Sequence, residues 1–326
     1  MMKRLGMIGL LLWSVAGLAR ADEAAQIRLR DPSASVFGGR PAVWRLDVDG
    51  PAAFEGTVAW NLAVSGGVIA RREARVAVRP GESAPVDIEV DLPDVREGII
   101  AEGRLQMALR DERGEVLAEL EHPLFVFGAN PAAFRLEWLR GLEMSVYDPE
   151  GRTAERLEEL GWPFRRIPNL SALETLGTHV LLVGEGISLR SARGLMGSMV
   201  RAAERGGRVV MLAPADGSFP PPGSGDDAVS PESLQFHDKA YVQRLDKRLD
   251  TPPLRSVFRL GGQRTGPVVS VESAGGWAFM EARWPGGGAL LLCGCGLLET
   301  WEASPTPRFL LMRMLRQATL EKEKEP

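Results

Sequence analysis

Cysteine, tyrosine and histidine are scarce in this 326-residue chain, at two, two and three residues. Cys293 and Cys295 stand two apart, with no other cysteine to staple a distant loop, which excludes a disulfide framework. Without a nearby histidine or a second cysteine pair, metal-ligand spacing is not met, and the two thiols read as small buried hydrophobes, with a redox pair or soft-metal site as the alternative. Positive charge is not in excess: 39 Lys and Arg face 43 Asp and Glu, for a formal charge of −4. The cations are scattered, so there is no footprint for nucleic acid. Cofactor signatures are missing as well. Gly184-Glu185-Gly186 lacks the glycine spacing of a dinucleotide fingerprint and carries a carboxylate that repels phosphate.

What is present begins with a leader. Met1-Met2-Lys3-Arg4 is a positive start, Leu5 to Leu18 is mostly apolar, and Ala19-Arg20-Ala21 is a small-x-small cleavage signature. The run is shorter than the ~20 apolar residues of a membrane span. No cysteine follows it to accept lipid. The expectation is a signal peptide over residues 1–21, cleaved before Asp22, and a periplasmic or extracellular mature protein with no stable membrane span. Of the mature 305 residues, 44% of the full composition being hydrophobic and 25% charged, ordinary globular folding in two domains is expected.

Residues 22–128 alternate apolar and polar in short runs, such as Ala42 to Val48, Gly56 to Val64 and Ala74 to Val78. Asp49-Gly50-Pro51, Ser65-Gly66-Gly67 and Arg79-Pro80-Gly81 punctuate them at hairpin spacing. About seven strands over this length predict an antiparallel, immunoglobulin-like β-sandwich, without the cysteine pair of antibody domains. Gly128-Ala129-Asn130-Pro131 ends that unit.

From 129 to 320 the period changes. Leu142 to Tyr147 and Phe164 to Ile167 read as short strands around a helix at Thr153 to Gly161. His179-Val180-Leu181-Leu182-Val183 is a continuous apolar run, as in a parallel strand buried on both faces. A helix from about Ser188 to Arg205 follows, then Gly206-Gly207 and the strand Arg208 to Ala213, making a βαβ unit. Pro214 to Pro231 is expected to be a long irregular loop beside the strands' carboxyl ends, and Ser233 to Leu249 a polar helix. Strands at Val257–Leu260, Val268–Val271, Trp277–Trp284 and Ala289–Cys293, a helix at Pro307 to Leu320 and a charged tail at 321–326 complete the reading. The expected second domain is three-layer α/β, of flavodoxin type.

Val180 to Gly184, Gly206 to Val210, and Gly287 to Leu292 followed by Pro307 resemble the class I glutamine amidotransferase-like fold, in the version attached to β-galactosidases and related sugar-active proteins. The likeness covers roughly residues 142 to 318. It implies polysaccharide-related partners. The nucleophilic cysteine of that family, which sits on a strand-to-helix elbow, has no counterpart here, since the strand Val209 to Ala213 runs into Pro214-Ala215-Asp216-Gly217. Ser218 has no G-x-S-x-G elbow around it. His237 is expected within the polar helix, while His122 and His179 read as structural. No catalytic residue, metal ligand or cofactor is assigned.

Asp148, Glu185 and Asp216 each follow a predicted parallel strand and are placed to converge on one sheet edge, where α/β proteins collect ligands. Carboxylates there also cap helices and turns. Trp277, Trp284 and Trp301 offer stacking faces for sugars or apolar packing for a core. The candidate ligand pocket is Asp148, Glu185, Asp216 and Trp301. The function expected is an exported, non-catalytic binding or assembly module with a polysaccharide or envelope protein as partner. The rivals are a carboxylate-dependent, glycoside-type hydrolase and a structural component of an envelope complex.

Overall fold

The structure is a computed structural model that describes residues 25–169, 171–172, 179–224, 228–263 and 266–320. The expected signal peptide, the charged tail and part of the Pro214–Pro231 segment lie outside the described residues. Eighteen strands and five α-helices form among the described residues.

Eight strands occupy the first part: β1 (Gln26–Leu29), β2 (Ser35–Phe37), β3 (Pro41–Asp49), β4 (Phe54–Val64), β5 (Gly67–Val78), β6 (Ser83–Asp91), β7 (Ile100–Asp111) and β8 (Val116–Phe127). They make two sheets, β1-β3-β6 and β2-β8-β7-β4-β5. Alternation sets their inner faces: Val86, Ile88 and Val90 of β6 are buried while their neighbours are exposed. These meet Trp44, Leu46 and Val48 from their own sheet and Val58, Leu62, Leu105 and Val126 from the other in one core, so the unit is a β-sandwich. All pairings are antiparallel except β2 with β8, which is parallel and departs from the all-antiparallel expectation.

The second part contains α1 (Leu136–Gly141), β9 (Ser145–Tyr147), α2 (Arg152–Glu159), β10 (Arg165–Arg166), β11 (Val180–Val183), α3 (Leu195–Glu204), β12 (Arg208–Met211), β13 (Gly217–Phe219), β14 (Ser233–His237), α4 (Tyr241–Leu245), β15 (Val257–Gln263), β16 (Gly266–Glu272), β17 (Phe279–Arg283), β18 (Ala289–Cys293) and α5 (Thr306–Thr319). Seven strands order as β10-β9-β11-β12-β18-β17-β14, and β13-β16-β15 form a separate antiparallel sheet. Pairing is parallel from β10 through β18, and antiparallel at β17 and β14. Leu181, Val183, Val209, Met211, Leu290 and Leu292 pack with Leu195 and Met199 of α3. Val180, Leu182, Val210 and Leu291 pack with Leu310, Leu311 and Met314 of α5 and Leu157 of α2. Burial on both faces is why these strands are continuous apolar runs. Gly288 is required where β18 meets α3, because a Cβ there would lie 1.7 Å from the Ala203 carbonyl oxygen.

Several expectations need correction. A plain three-layer α/β domain does not result: the helices are few and short, the main sheet is mixed, and an antiparallel sheet is added. Residues 233–249 are not one helix. Leu234 and Phe236 alternate with Ser233, Gln235 and His237, a period of two that suits β14, and only Tyr241–Leu245 coils. The helix expected from Ser188 starts at Leu195, after Gly194 at φ +86°. The Pro214–Pro231 segment is partly ordered by β13, which pairs with β16. Cys295 lies beyond the end of β18, and both thiols are buried and free. Burial, with Cys295 alongside, pushes the Cys293 thiol upward.

Asp246, just after α4, is buried and accepts from Arg248 Nε and Arg313 Nη2 at 2.8 and 2.7 Å, tying α4 to α5. Burial alone would raise its carboxyl; the two guanidiniums outweigh that and hold it down to about 2. Since the folded value lies below the ordinary 3.8, its contribution is complete above pH ~4 and is lost as pH falls toward 2. After discounting for solvent screening, Asp246→Asn should remove about 1–2 kcal/mol at pH 7 and much less at pH 2.5, as urea melts at the two pH values would read.

Candidate functional site

The chain passes from β9 outward to β10 and then returns to β11 on the other side of β9, so the order of the parallel strands reverses between β9 and β11. Ligands of open parallel sheets gather outside the carboxyl ends at such a switch point. Asp148 follows β9 and Glu185 follows β11, with the start of α2 between them. An open cleft of about 470 Å³ lies there, lined by Arg152, Glu155, Arg156 and Glu159 from α2 together with Glu185, Arg255, Leu298 and Glu299.

The three carboxylates expected from the sequence, Asp148, Glu185 and Asp216, are engaged by the chain itself. Asp148 Oδ2 accepts the Thr153 and Ala154 amides at 2.7 and 3.0 Å, closing the first turn of α2, while its Oδ1 is buried without a hydrogen-bond donor. Glu185 is 1% exposed. Its Oε2 accepts the Leu297 and Leu298 amides at 2.7 and 3.0 Å, and its Oε1 accepts Arg255 Nη1 at 3.2 Å. Its own amide donates to Thr153 Oγ1 at 3.0 Å. Asp216 Oδ1 accepts the Ser188 hydroxyl at 2.7 Å. Trp301 is core, 2% exposed, and does not line the cleft. Trp284 is also buried, its indole N–H donating to the Val229 carbonyl at 2.8 Å, whereas Trp277 is 45% exposed. Gly186 holds φ +88°, and a Cβ there would come within 2.5 Å of Arg152 Nη2 and 3.4 Å of Arg255 Nη2, so two guanidiniums converge on this bare backbone.

A second cluster escaped the sequence reading. On one face of β14 and β17, Ser233, Gln235, His237, Glu281 and Arg283 line an open pocket of about 530 Å³ with Tyr241, Arg244 and Gln317. The register sets Gln235 opposite Glu281 and Ser233 opposite Arg283. The local signal was the period-two alternation from 233 to 237. A larger concavity, about 660 Å³, lies on the sandwich around Ala59, Asn61, Arg71, Gln106 and Arg110 and holds no buried titratable group. Among the described residues no three His, Cys, Asp or Glu side chains are grouped to hold a metal ion, and no helix is long and apolar enough to cross a membrane.

No protein-family model and no curated protein matches the chain. Among solved structures, a CARDB domain from Pyrococcus furiosus is 16% identical, with a TM-score of 0.24 over 32% of this chain and 92% of that one. A putative β-galactosidase from Bacteroides fragilis is 9% identical, with a TM-score of 0.24 over 58% of this chain and 38% of that one. A β-glucuronidase from Bacteroides uniformis is 11% identical, with a TM-score of 0.23 over 58% and 33% respectively. The chain therefore spans well under half of either glycosidase. At these scores the likenesses carry no functional argument.

Proposed function

We propose that the chain is an exported binding module that seats its ligand in the switch-point cleft and does no acid–base chemistry there. The observation that carries this reading is Glu185: both of its oxygens are taken by the Leu297 and Leu298 amides and by Arg255, so the cleft's buried carboxylate has no oxygen left free, and its other carboxylates, Glu155, Glu159 and Glu299, are solvent-exposed. A glycoside hydrolase needs two carboxyl groups free to act across the scissile bond. A polysaccharide or an envelope protein is the partner class of this reading. The parallel run β10-β9-β11-β12-β18 with helices against both faces supports kinship with the amidotransferase-like fold, and Pro214 to Gly217 after β12 supplies no nucleophile.

The test uses the chain from Asp22 onward, in thermal-shift measurements against neutral and acidic oligo- and polysaccharides, with a product assay on the same samples. A ligand of the native state raises its apparent stability. A shift without product, lost in Arg152→Ala, is expected. Turnover abolished by Glu185→Gln or Asp216→Asn would overturn the reading in favour of a hydrolase, and no shift with any saccharide would remove the carbohydrate partner.

A second reading has its own observation. β5 is a 12-residue edge strand with Val68 58% exposed and, among the described residues, pairs only with β4, so a strand of a partner protein can add to it.

A further inference from the structure

The pocket between β14, β17, α4 and α5 lies at the opposite edge of the sheet from the switch point, and the proposed function does not use it. Its exposed Arg244 is fixed in place yet keeps its charge. Its Nη2 donates to His237 Nδ1 at 3.0 Å, and its guanidinium carbon stands 5.0 Å from the Tyr241 ring centroid. Among the described residues no carboxylate is ion-paired with it, in contrast to Arg283, whose Nε lies 2.7 Å from Glu281 Oε1. A guanidinium is usually held by a carboxylate that also neutralises it. Here an imidazole lone pair and an aromatic face hold it instead.

Beneath it His237 is 8% exposed and stacked on Tyr241, with centroids 4.1 Å apart and planes 4° from parallel. Because Nδ1 accepts from Arg244, the hydrogen-bond network assigns the neutral ring's proton to Nε2. That atom is buried without a hydrogen bond, and Glu281 Oε2 stands 3.6 Å away, beyond bonding length. Glu281 is already engaged by the Tyr241 hydroxyl at 2.7 Å, by Arg283 and by Gln317. The charges lining the pocket are therefore one neutralised pair, Glu281 with Arg283, and one unneutralised cation.

We propose that this pocket binds a carboxylate group on Arg244, with His237 as its proton-linked partner beneath. A carboxylate taken by the guanidinium relieves His237 Nδ1 of its donor, and the ring then accepts a proton between the bound anion and Glu281. Tyr241 and Arg244 of α4, Glu281 and Arg283 of β17, and the neighbouring Asp238 are the titratable and charged groups around the ring. In the free protein burial, then Arg244, holds the imidazole below its ordinary 6.5. Binding that raises it takes up a proton, so affinity increases as pH falls while the ligand, with a carboxyl near pH ~4, stays ionised. The carboxylate can be that of a sugar acid or of a peptide end.

The chain has three histidines, so the His237 ring is resolvable by NMR in the full mature protein. Glucuronate and acetyl-dialanine are the acidic probes, with glucose and acetyl-dialanine amide as neutral counterparts. The expected result is a saturable shift of the His237 signals with at least one acid and with neither neutral compound, tighter at pH 5.5 than at 7.5. The acid that responds identifies the source. Arg244→Ala should weaken binding about tenfold or more, Arg244→Lys less, and His237→Gln should flatten the pH dependence. Arg152→Ala, in the other cleft, should leave the titration unchanged, which separates this site from the switch-point reading. No response to either acid, an equal response to a neutral compound, or unchanged affinity in Arg244→Ala would overturn the proposal.

Discussion

Replacing Glu185 by alanine is expected to destabilise the protein by about 3 kcal/mol, a fall in Tm of roughly 5–10 °C. The side chain is 0% exposed, and its removal leaves the Leu297 and Leu298 amides without their acceptor at the start of the 3-10 turn Leu298–Thr300. Hydrogen bonds to a buried carboxylate contribute about 1.5–3 kcal/mol each when they are lost singly, and they do not add. Arg255, 38% exposed, recovers much of its hydration and adds little. Glu185→Gln should cost less, since its amide oxygen can still accept the two backbone N–H groups while its NH2 confronts Arg255. The sign of the effect discriminates between roles. A carboxylate kept for catalysis sits in an unfavourable environment, and its removal commonly leaves stability unchanged or raises it. Chemical denaturation of the two variants reads this directly, and stability equal to or above that of the parent would remove the capping role assigned to Glu185.

What the sequence made legible depended on how local the cause was. The sandwich strands declare themselves because one face is buried, so Val86, Ile88 and Val90 alternate with charged neighbours. Val180 to Val183 and Ala289 to Cys293 declare themselves because both faces are buried. The positions of Asp148 and Glu185 beside the switch point follow from parallel strand order, which two short apolar runs and an intervening helix suffice to suggest. What occupies their oxygens was not legible: the partners of Glu185 lie more than 100 residues later, at Leu297 and Leu298. The His237 pocket failed for the same reason. Its composition reads as a polar helix, and the only local sign of β14 is the five-residue alternation from 233 to 237; the pairing with β17 that sets Gln235 against Glu281 is a non-local event. Trp301 misled because an aromatic following a strand looks the same whether it stacks on a sugar or fills a core.

Arg308→Leu is the second large effect, at about 2–4 kcal/mol, because this buried side chain is one of the ties between the sandwich and the rest of the molecule. It is 5% exposed. Its Nε donates to the Trp301 carbonyl at 3.0 Å, Nη1 to the Ala129 carbonyl at 3.2 Å and Nη2 to Glu302 Oε2 at 2.8 Å. The guanidinium also lies 4.9 Å from the Phe37 ring centroid, on β2, and 5.7 Å from that of Trp301. Burial lowers its pKa below the ordinary guanidinium range, yet it stays charged throughout the accessible range. Leucine retains volume but loses every donor, so the Trp301 and Ala129 carbonyls lose their partner at a buried or half-buried junction. A second tie would remain: Asp250 accepts the Ser33 hydroxyl at 2.7 Å and the Ser35 amide at 2.9 Å, and Ser35 Oγ donates to the Arg248 carbonyl at 2.7 Å. These two ties, with a third and exposed one in which Arg40 Nη1 donates to the Glu302 carbonyl at 2.9 Å, predict coupling. Arg308→Leu alone should lower the main calorimetric transition, and Arg308→Leu with Asp250→Ala should split it into two, as the sandwich and the mixed sheet melt apart. A double variant that still melts in one transition, with the two losses simply additive, would show that the halves are held by packing around Phe127 and Phe309, whose ring centroids lie 4.6 Å apart, and not by these polar ties.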